Sequence, residues 1–422
     1  SLWLLSAPPP GEAVVATALC LALGVSLWAV WRRSLLLTPA LLLVAATAGS
    51  LLAQPDLVAV RTSPYKALNQ ALLYPGARVV WRGQNAFSQV SLVESPGVRS
   101  APGLSLAYEG RLPPQHAVST DGENLSPVLP YRPGTHDFVG YLPSAAAYRL
   151  LSVRDGGMGR ARYPELGAGD EPSRPPSVLL LEPGGGLEAV VALEHGADPV
   201  TVVVGNPALV QAVRRVEGSY LEDPRVRLVG DGARSFLASG GEPFDLIVMP
   251  LADSFRVVTA GAFSISENYL LTVESVARQY ERLAEGGFLV VSRWLQLPPS
   301  EELRSYLIAL EALERLGVER PASRVAAFRS FQTATLLVKR GELTPRDVEE
   351  LRSFAAEMRY DLIHLPGLQA EDANRFHLLE RDPYFETYEM AESPGQRADL
   401  LSIYPFDVSP TTDDRPFFHH FF

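Results

Sequence analysis

The sequence predicts a doubly wound α/β protein, a mostly parallel sheet with helices on both faces. A small β-rich segment and an apolar N-terminal helical hairpin precede it. Three observations predict this. Between residues 178 and 338, short apolar runs alternate with helical patterns closed by glycine or opened by Asn, Ser or Thr. The first run, Val178-Leu179-Leu180-Leu181, leads into Glu182-Pro183-Gly184-Gly185-Gly186. That is the strand, glycine turn and helix start with which a Rossmann-type sheet holds the anionic or nucleoside part of a ligand. Finally, residues 13–31 and 34–53 carry no charged residue, and each run is about the ~20 residues that span a bilayer.

Taken in order, residues 1–54 read as a transmembrane hairpin, with a buried core hairpin as the alternative. Trp28, Trp31, Arg32 and Arg33 mark its turn. Basic residues favour the cytoplasmic side, which places this turn inside, whereas Arg61 and Lys66 place the following segment there. Sidedness is therefore open. Residues 55–150 read as a small β-rich domain, because short apolar stretches alternate with Pro, Gly and Asn turns, and Asp121-Gly122 marks a hairpin or loop. Residues 151–177 are rich in Gly, Pro and Arg and read as a linker.

Residues 178–340 form the doubly wound sheet. Strands are expected at 178–182, 200–204, 226–229, 244–249 and 288–292, with a closing hairpin of 324–328 and 333–338 that makes one edge antiparallel. Helices fill the intervals. Asn206-Pro207 is a favoured helix start. Ser264-Ile265-Ser266-Glu267 has the form of a capping box and opens a helix expected to end at Gly286-Gly287. Residues 341–422 read as one helix, capped at Thr344-Pro345-Arg346-Asp347, and an irregular tail.

Composition limits the function classes. The 422 residues carry a formal net charge of −11, so general nucleic-acid binding is disfavoured. The single cysteine, Cys20, excludes an internal disulfide, and the seven histidines show no metal-ligand spacing. No metal is expected.

A doubly wound sheet binds its ligand across the carboxyl ends of its strands. Those ends read Glu182-Pro183-Gly184-Gly185-Gly186, Val204-Gly205-Asn206-Pro207, Gly230-Asp231-Gly232 and Pro250-Leu251-Ala252-Asp253-Ser254. With Phe236-Leu237 and Phe244-Asp245-Leu246-Ile247-Val248, this order resembles the spermidine synthase family, a branch of the class I methyltransferase fold. Ser63-Pro64-Tyr65-Lys66 stands where that family has a small N-terminal β-domain. The run from Ala260 through Glu267-Asn268-Tyr269-Leu270, together with Ser292-Arg293-Trp294 and Asp413-Asp414-Arg415-Pro416-Phe417-Phe418, is similar to membrane-embedded bacterial members.

The resemblance implies a site for S-adenosylmethionine or its decarboxylated form and a transfer to an amine. Gly184 and Gly186 match the cofactor loop. Asp231 matches the carboxylate that accepts from the adenine amino group, with Gly232 beside it and Asn206 at the neighbouring strand end. Asp253 matches the second of the family's two aspartates after the fourth strand and is the catalytic candidate. Glu267 and Tyr269 are substrate-binding candidates. The chain also departs from the family. Val204 stands where an acidic residue usually grips the ribose, Pro250 replaces the catalytic aspartate, and Glu182 replaces the first loop glycine. Glu182 is a candidate replacement for the ribose ligand. Glu188 reads as a residue that complements the helix dipole, with a substrate ligand as the alternative.

Two functions follow. One is a membrane-anchored aminopropyl- or methyltransferase. The other is a catalytically silent Rossmann-like module for binding or assembly within a larger membrane protein. The expected partners are a lipid bilayer of the bacterial inner-membrane type, a small amine and further copies of the chain. Asp413-Asp414-Arg415 reads as a salt-bridged turn before an aromatic membrane-interface segment.

Overall fold

The computed structural model describes residues 63–154 except Phe87, 174–251 and 266–422, with a few residues between 20 and 46. Most of both expected membrane spans, most of the 151–177 linker, Asp253 and the start of the Ser264 capping box lie outside the described residues. Among the described residues no helix is long and apolar enough to cross a membrane. Helical residues described within the spans leave Leu21, Leu27 and Trp28 at least half exposed.

The chain divides into two compact units, Ser1–Gly97 with Val118–Leu125, and Val98–Ala117 with Ser126–Phe422. The first contains the short helix α1 (Ala67–Ala71) and strands β1 (Arg78–Gln84) and β2 (Gln89–Glu94), which pair antiparallel. Strands β3 (His116–Thr120) and β4 (Glu123–Val128) complete a four-stranded sheet in chain order. Asp121 has φ 53° and makes the tight β3–β4 turn with Gly122.

The second unit is built on an eight-stranded sheet. Its strands are β5 (Val178–Leu181), β6 (Val200–Val203), β7 (Val226–Val229), β8 (Phe244–Met249), β9 (Leu283–Trp294), β10 (Val325–Arg329), β11 (Thr333–Lys339) and β12 (Asp361–His364), in the order β12-β10-β11-β9-β8-β5-β6-β7. The run from β9 to β7 is parallel, while β11, β10 and β12 add antiparallel. The sheet is therefore mixed, with more antiparallel pairing than the expected hairpin edge. Every residue of β5, β6 and β8 is buried, as parallel strands covered on both faces require.

Helices α2 (Ala145–Arg154), α3 (Leu187–Glu194), α4 (Pro207–Val213), α5 (Ala233–Ala238), α6 (Val273–Glu281), α7 (Glu301–Arg315) and α8 (Pro345–Met358) connect or cover these strands. Local signals explain their ends. The Asn206 side chain accepts from the Ala208 N–H, with Pro207 at the first position of α4. Thr344 and Asp347 form a reciprocal capping box on α8. Leu179, Ile247 and Leu289 of the sheet pack with Leu303, Leu307 and Leu310 of α7, all at 0–1% exposure. Each such side chain contributes about 1.5–3 kcal/mol of burial.

Three elements differ from expectation. Ser266 and Glu267 are not helical; α6 begins at Val273, capped by Thr272, whose hydroxyl accepts from the Ser275 N–H. The preceding segment is pinned to the C-terminal tail instead, because Asn268 N–H donates to Pro416 O at 2.7 Å and Val273 N–H to Thr411 O at 2.9 Å. Helix α6 ends at Glu281, not at Gly286. The Phe244 N–H bonds the Arg282 carbonyl at 2.9 Å and Phe244 pairs with Leu283, which draws the chain early into β9. The tail beyond residue 366 also contains two helices, α9 (Pro383–Glu392) and α10 (Pro394–Ile403).

The end of the chain is core rather than an aromatic interface segment. Phe418 and Phe421 are 0% and 1% exposed. Arg304 of α7, itself buried, donates to the carbonyls of Asp407, Phe417, Phe418 and His420. Its guanidinium lies 4.3 Å from the Phe421 ring centre. The expected salt-bridged turn is present, with Arg415 on Asp407 at 2.5 Å and the Arg415 N–H on Thr412 O.

Candidate functional site

The chain runs β5, β6, β7 toward one edge and returns through β8 on the other side of β5. That reversal makes β5/β8 the switch point, where a crevice opens beyond the strand ends. The glycine turn enters it from β5. Gly184 and Gly186 have φ of 59° and 94°, in the left-handed region that glycine adopts without strain. Gly185 is needed for space. Its N–H donates to Ser126 Oγ at 2.8 Å, and a Cβ there would collide with the Pro127 carbonyl. Gly185→Ala is expected to destabilise the fold by about 2–3 kcal/mol, read as a lowered thermal-unfolding midpoint.

Glu182 also sits in the left-handed region, at φ 50°. A non-glycine residue there is strained, and its side chain shows what holds it. Oε1 accepts from the Gly205 N–H at 3.0 Å. Burial raises the Glu182 pKa and the Gly205 N–H opposes that rise. Val204 at the end of β6 is buried and apolar, so the carboxylate at this strand end comes from Glu182. A Cβ on Gly205 would lie 3.1 Å from Glu182 Oε1 and 3.7 Å from both the Asp231 carbonyl and the Gly232 Cα. The ends of β5, β6 and β7 thus meet around Gly205.

The other sequence-predicted residues divide. Asp231 is exposed beyond β7, with Oδ1 accepting from the Gly232 N–H at 2.7 Å. The Asn206 side chain is engaged as the cap of α4. Glu267 and Tyr269 are exposed ahead of α6, where Arg234 of α5 donates to the Tyr269 carbonyl at 3.3 Å and pairs with Asp413 at 2.5 Å. Pro250 is buried at the end of β8.

Glu188, expected to complement the helix dipole, sits at the switch point. This residue lines a narrow cavity of about 30 Å³ at the β5/β8 switch, together with Pro183, Pro250, Ser292 and Thr333. The residue keeps partial solvent contact, but its Oε2 is buried without a hydrogen-bond partner among the described residues. Burial pushes its pKa up to about 7, and the nearby Ser144 hydroxyl, outside hydrogen-bonding geometry, pulls the other way. A larger cavity of about 400 Å³ adjoins Trp294, Phe331 and His377 at the β10–β11 turn. Asp361 holds His377 Nδ1 there at 3.1 Å. Among the described residues no group of three or more His, Cys, Asp or Glu is placed to hold a metal ion.

No family model matches the chain. The polyamine aminopropyltransferase of Korarchaeum cryptofilum (strain OPF8) is 26% identical over 211 residues, 46% of this chain and 62% of that protein. That of Mycobacterium tuberculosis (strain ATCC 25618 / H37Rv) is 32% identical over 123 residues, 27% of this chain and 22% of that protein. The chain thus spans less than two thirds of the curated relatives it matches. Among solved structures, spermidine synthase from Thermotoga maritima covers 66% of this chain and 78% of its own, with 16% identity and a TM-score of 0.40. A spermidine synthase in complex with the transition state analogue AdoDATO gives 16% identity, the same coverage and a TM-score of 0.39. The chain is similar to polyamine aminopropyltransferases; its Rossmann-like fold follows from the strand order itself.

Proposed function

We propose that this chain is an aminopropyltransferase that takes decarboxylated S-adenosylmethionine as donor and a small amine as acceptor. The observation that carries the reading is the carboxylate of Glu182 lodged at Gly205 beside the glycine turn. A nucleoside held across these strand ends needs an acceptor for its ribose hydroxyls at the end of β6. Val204 offers none, and Glu182 supplies it from the neighbouring strand. Asp231, exposed at the end of β7, would accept from the adenine amino group. The similarity to curated aminopropyltransferases supports the same donor. The bound donor brings an electrophilic carbon next to a sulfonium; the protein holds it and sets the acceptor in line. Residues 1–54 anchor the enzyme in a bilayer, a reading supported by the two charge-free runs and by exposed Leu21, Leu27 and Trp28.

Calorimetry of the full chain tests this. Decarboxylated S-adenosylmethionine is expected to bind, and Asp231→Ala and Glu182→Gln are each expected to weaken it by about ten-fold or more, the size of a hydrogen bond to a charged group. No binding to the wild type at millimolar donor would sink the transferase reading and leave the silent module.

A further inference from the structure

We propose that Glu188 is a catalytic carboxylate that holds the acceptor's ammonium head group and takes its proton, in place of the carboxylate absent at Pro250. This rests on the transferase reading and adds to it the group that handles the amine.

Pro250 and Glu188 line the same cavity at the switch point. A carboxylate on the first turn of α3 therefore faces the space reached from the end of β8. The chemistry of the walls singles it out. Pro102, Pro127, Pro143, Pro183 and Pro250 line the cavity, and proline has no N–H to offer a carboxylate. Ser126 Oγ accepts from the Gly185 N–H at 2.8 Å, Ser292 Oγ pairs with Thr335 Oγ1 at 3.1 Å, and Thr333 Oγ1 pairs with Ser330 Oγ at 2.9 Å. The Ser144 and Tyr148 hydroxyls near Glu188 are buried without a hydrogen-bond partner among the described residues.

Glu188 Oε2 is left buried and unpartnered among the described residues. A buried acceptor without a donor is costly, and a helix-dipole role does not require burying it. The missing donor has to be small, since a cavity of about 30 Å³ admits little more than one or two water-sized groups. An ammonium group fits that size, carries three donors and complements a carboxylate. The titratable group that faces Glu188 is Tyr148, whose buried hydroxyl is pushed well above its ordinary value by burial and by the Glu188 charge. It stays neutral. Burial also brings Glu188 itself to about 7, near the pH at which a general base works best.

The step balances. The acceptor ammonium gives one proton to the Glu188 carboxylate. The freed nitrogen lone pair forms a C–N bond to the carbon next to the donor sulfonium. The C–S bond breaks with its electron pair going to sulfur, which leaves as a neutral thioether, and the positive charge passes to the new secondary ammonium.

The test uses the full chain with putrescine as probe amine, measured by calorimetry without donor, and then single-turnover transfer from decarboxylated S-adenosylmethionine. Wild type is expected to bind putrescine at pH 8 and to lose about ten-fold in affinity at pH 6. Glu188→Gln is expected to bind it at least 30-fold more weakly, the loss for removing one partner of a buried charge pair. It is also expected to slow single turnover at saturating donor and to keep wild-type donor affinity. Unaltered putrescine binding by Glu188→Gln, or none by the wild type, overturns the proposal. Glu188-dependent putrescine binding by a protein that takes no donor leaves the amine site standing and removes the transferase reading. An unchanged thermal-unfolding profile or a higher midpoint in the variant separates lost binding from lost folding.

Discussion

Replacing Arg304 with methionine is expected to lower stability by about 3–5 kcal/mol. The guanidinium donates to four carbonyls of the C-terminal tail, those of Asp407, Phe417, Phe418 and His420, and an apolar side chain removes that donor from each, leaving Phe417 O with the His420 N–H. Part of that loss is offset, because Arg304 itself is costly to bury. Desolvation pulls its pKa down to about 10, against the opposing pull of Asp407. Urea unfolding followed by tryptophan fluorescence measures the difference. Deleting residues 405–422 is expected to cost more, because it also removes buried Val408, Phe418 and Phe421, and to cost less in the Arg304 variant than in the wild type, since both changes remove the same hydrogen bonds. Fully additive losses would show that Arg304 acts elsewhere.

Glu188→Gln is expected to raise stability at pH 8 by about 2–3 kcal/mol and to change little at pH 4. The sign follows from the direction of the shift. The carboxyl titrates near 4.5 when unfolded and near 7 when folded. Below 4.5 it is protonated in both states and costs nothing. Between 4.5 and 7 the unfolded chain releases the proton first, so native stability falls as pH rises. Above 7 the full cost of ionising a buried group is present, trimmed because the residue keeps some solvent contact. Glutamine removes that cost. Urea midpoints at the two pH values check it, and a wild type as stable at pH 8 as its variant would mean that the carboxylate has a partner. Together with the binding test, this makes Glu188 a residue kept at the expense of the fold.

Much of the sheet was legible because its signals are local. Apolar runs of four to six residues, such as β5 and β8, and punctuation such as Asn206-Pro207 and Thr344-Pro345 act within one turn of chain. The errors came from long-range pairing. Nothing near Ser266 announces that residues 411–416 would pair with the chain before α6. Nothing near Gly286 shows that Phe244 would recruit Arg282 into hydrogen bonding 38 residues away in sequence (282 − 244).

The site behaved in the same way. Glu182 was visible as an anomaly because it breaks a glycine pattern. Its destination at Gly205 depends on strand adjacency. Glu188 was visible, but the helix dipole gave an acidic residue on a first helical turn an ordinary explanation that outweighed a substrate role. Only the proline walls contributed by distant segments give it another.

The margins of the eight-stranded sheet carry a consequence for self-association. An open strand edge invites addition of a further strand from another molecule. At one margin β12 is only four residues long and wholly buried. Leu362 is bridged by Ala373, and the Asp361 carboxylate accepts the N–H groups of Arg375, Phe376 and His377. At the other margin β7 is equally short and presents exposed Arg227 at its centre, a charge that opposes a second copy carrying the same residue. Among the described residues, one margin is thus closed by hydrogen bonds to the following loop and the other is marked by a charge that disfavours self-pairing.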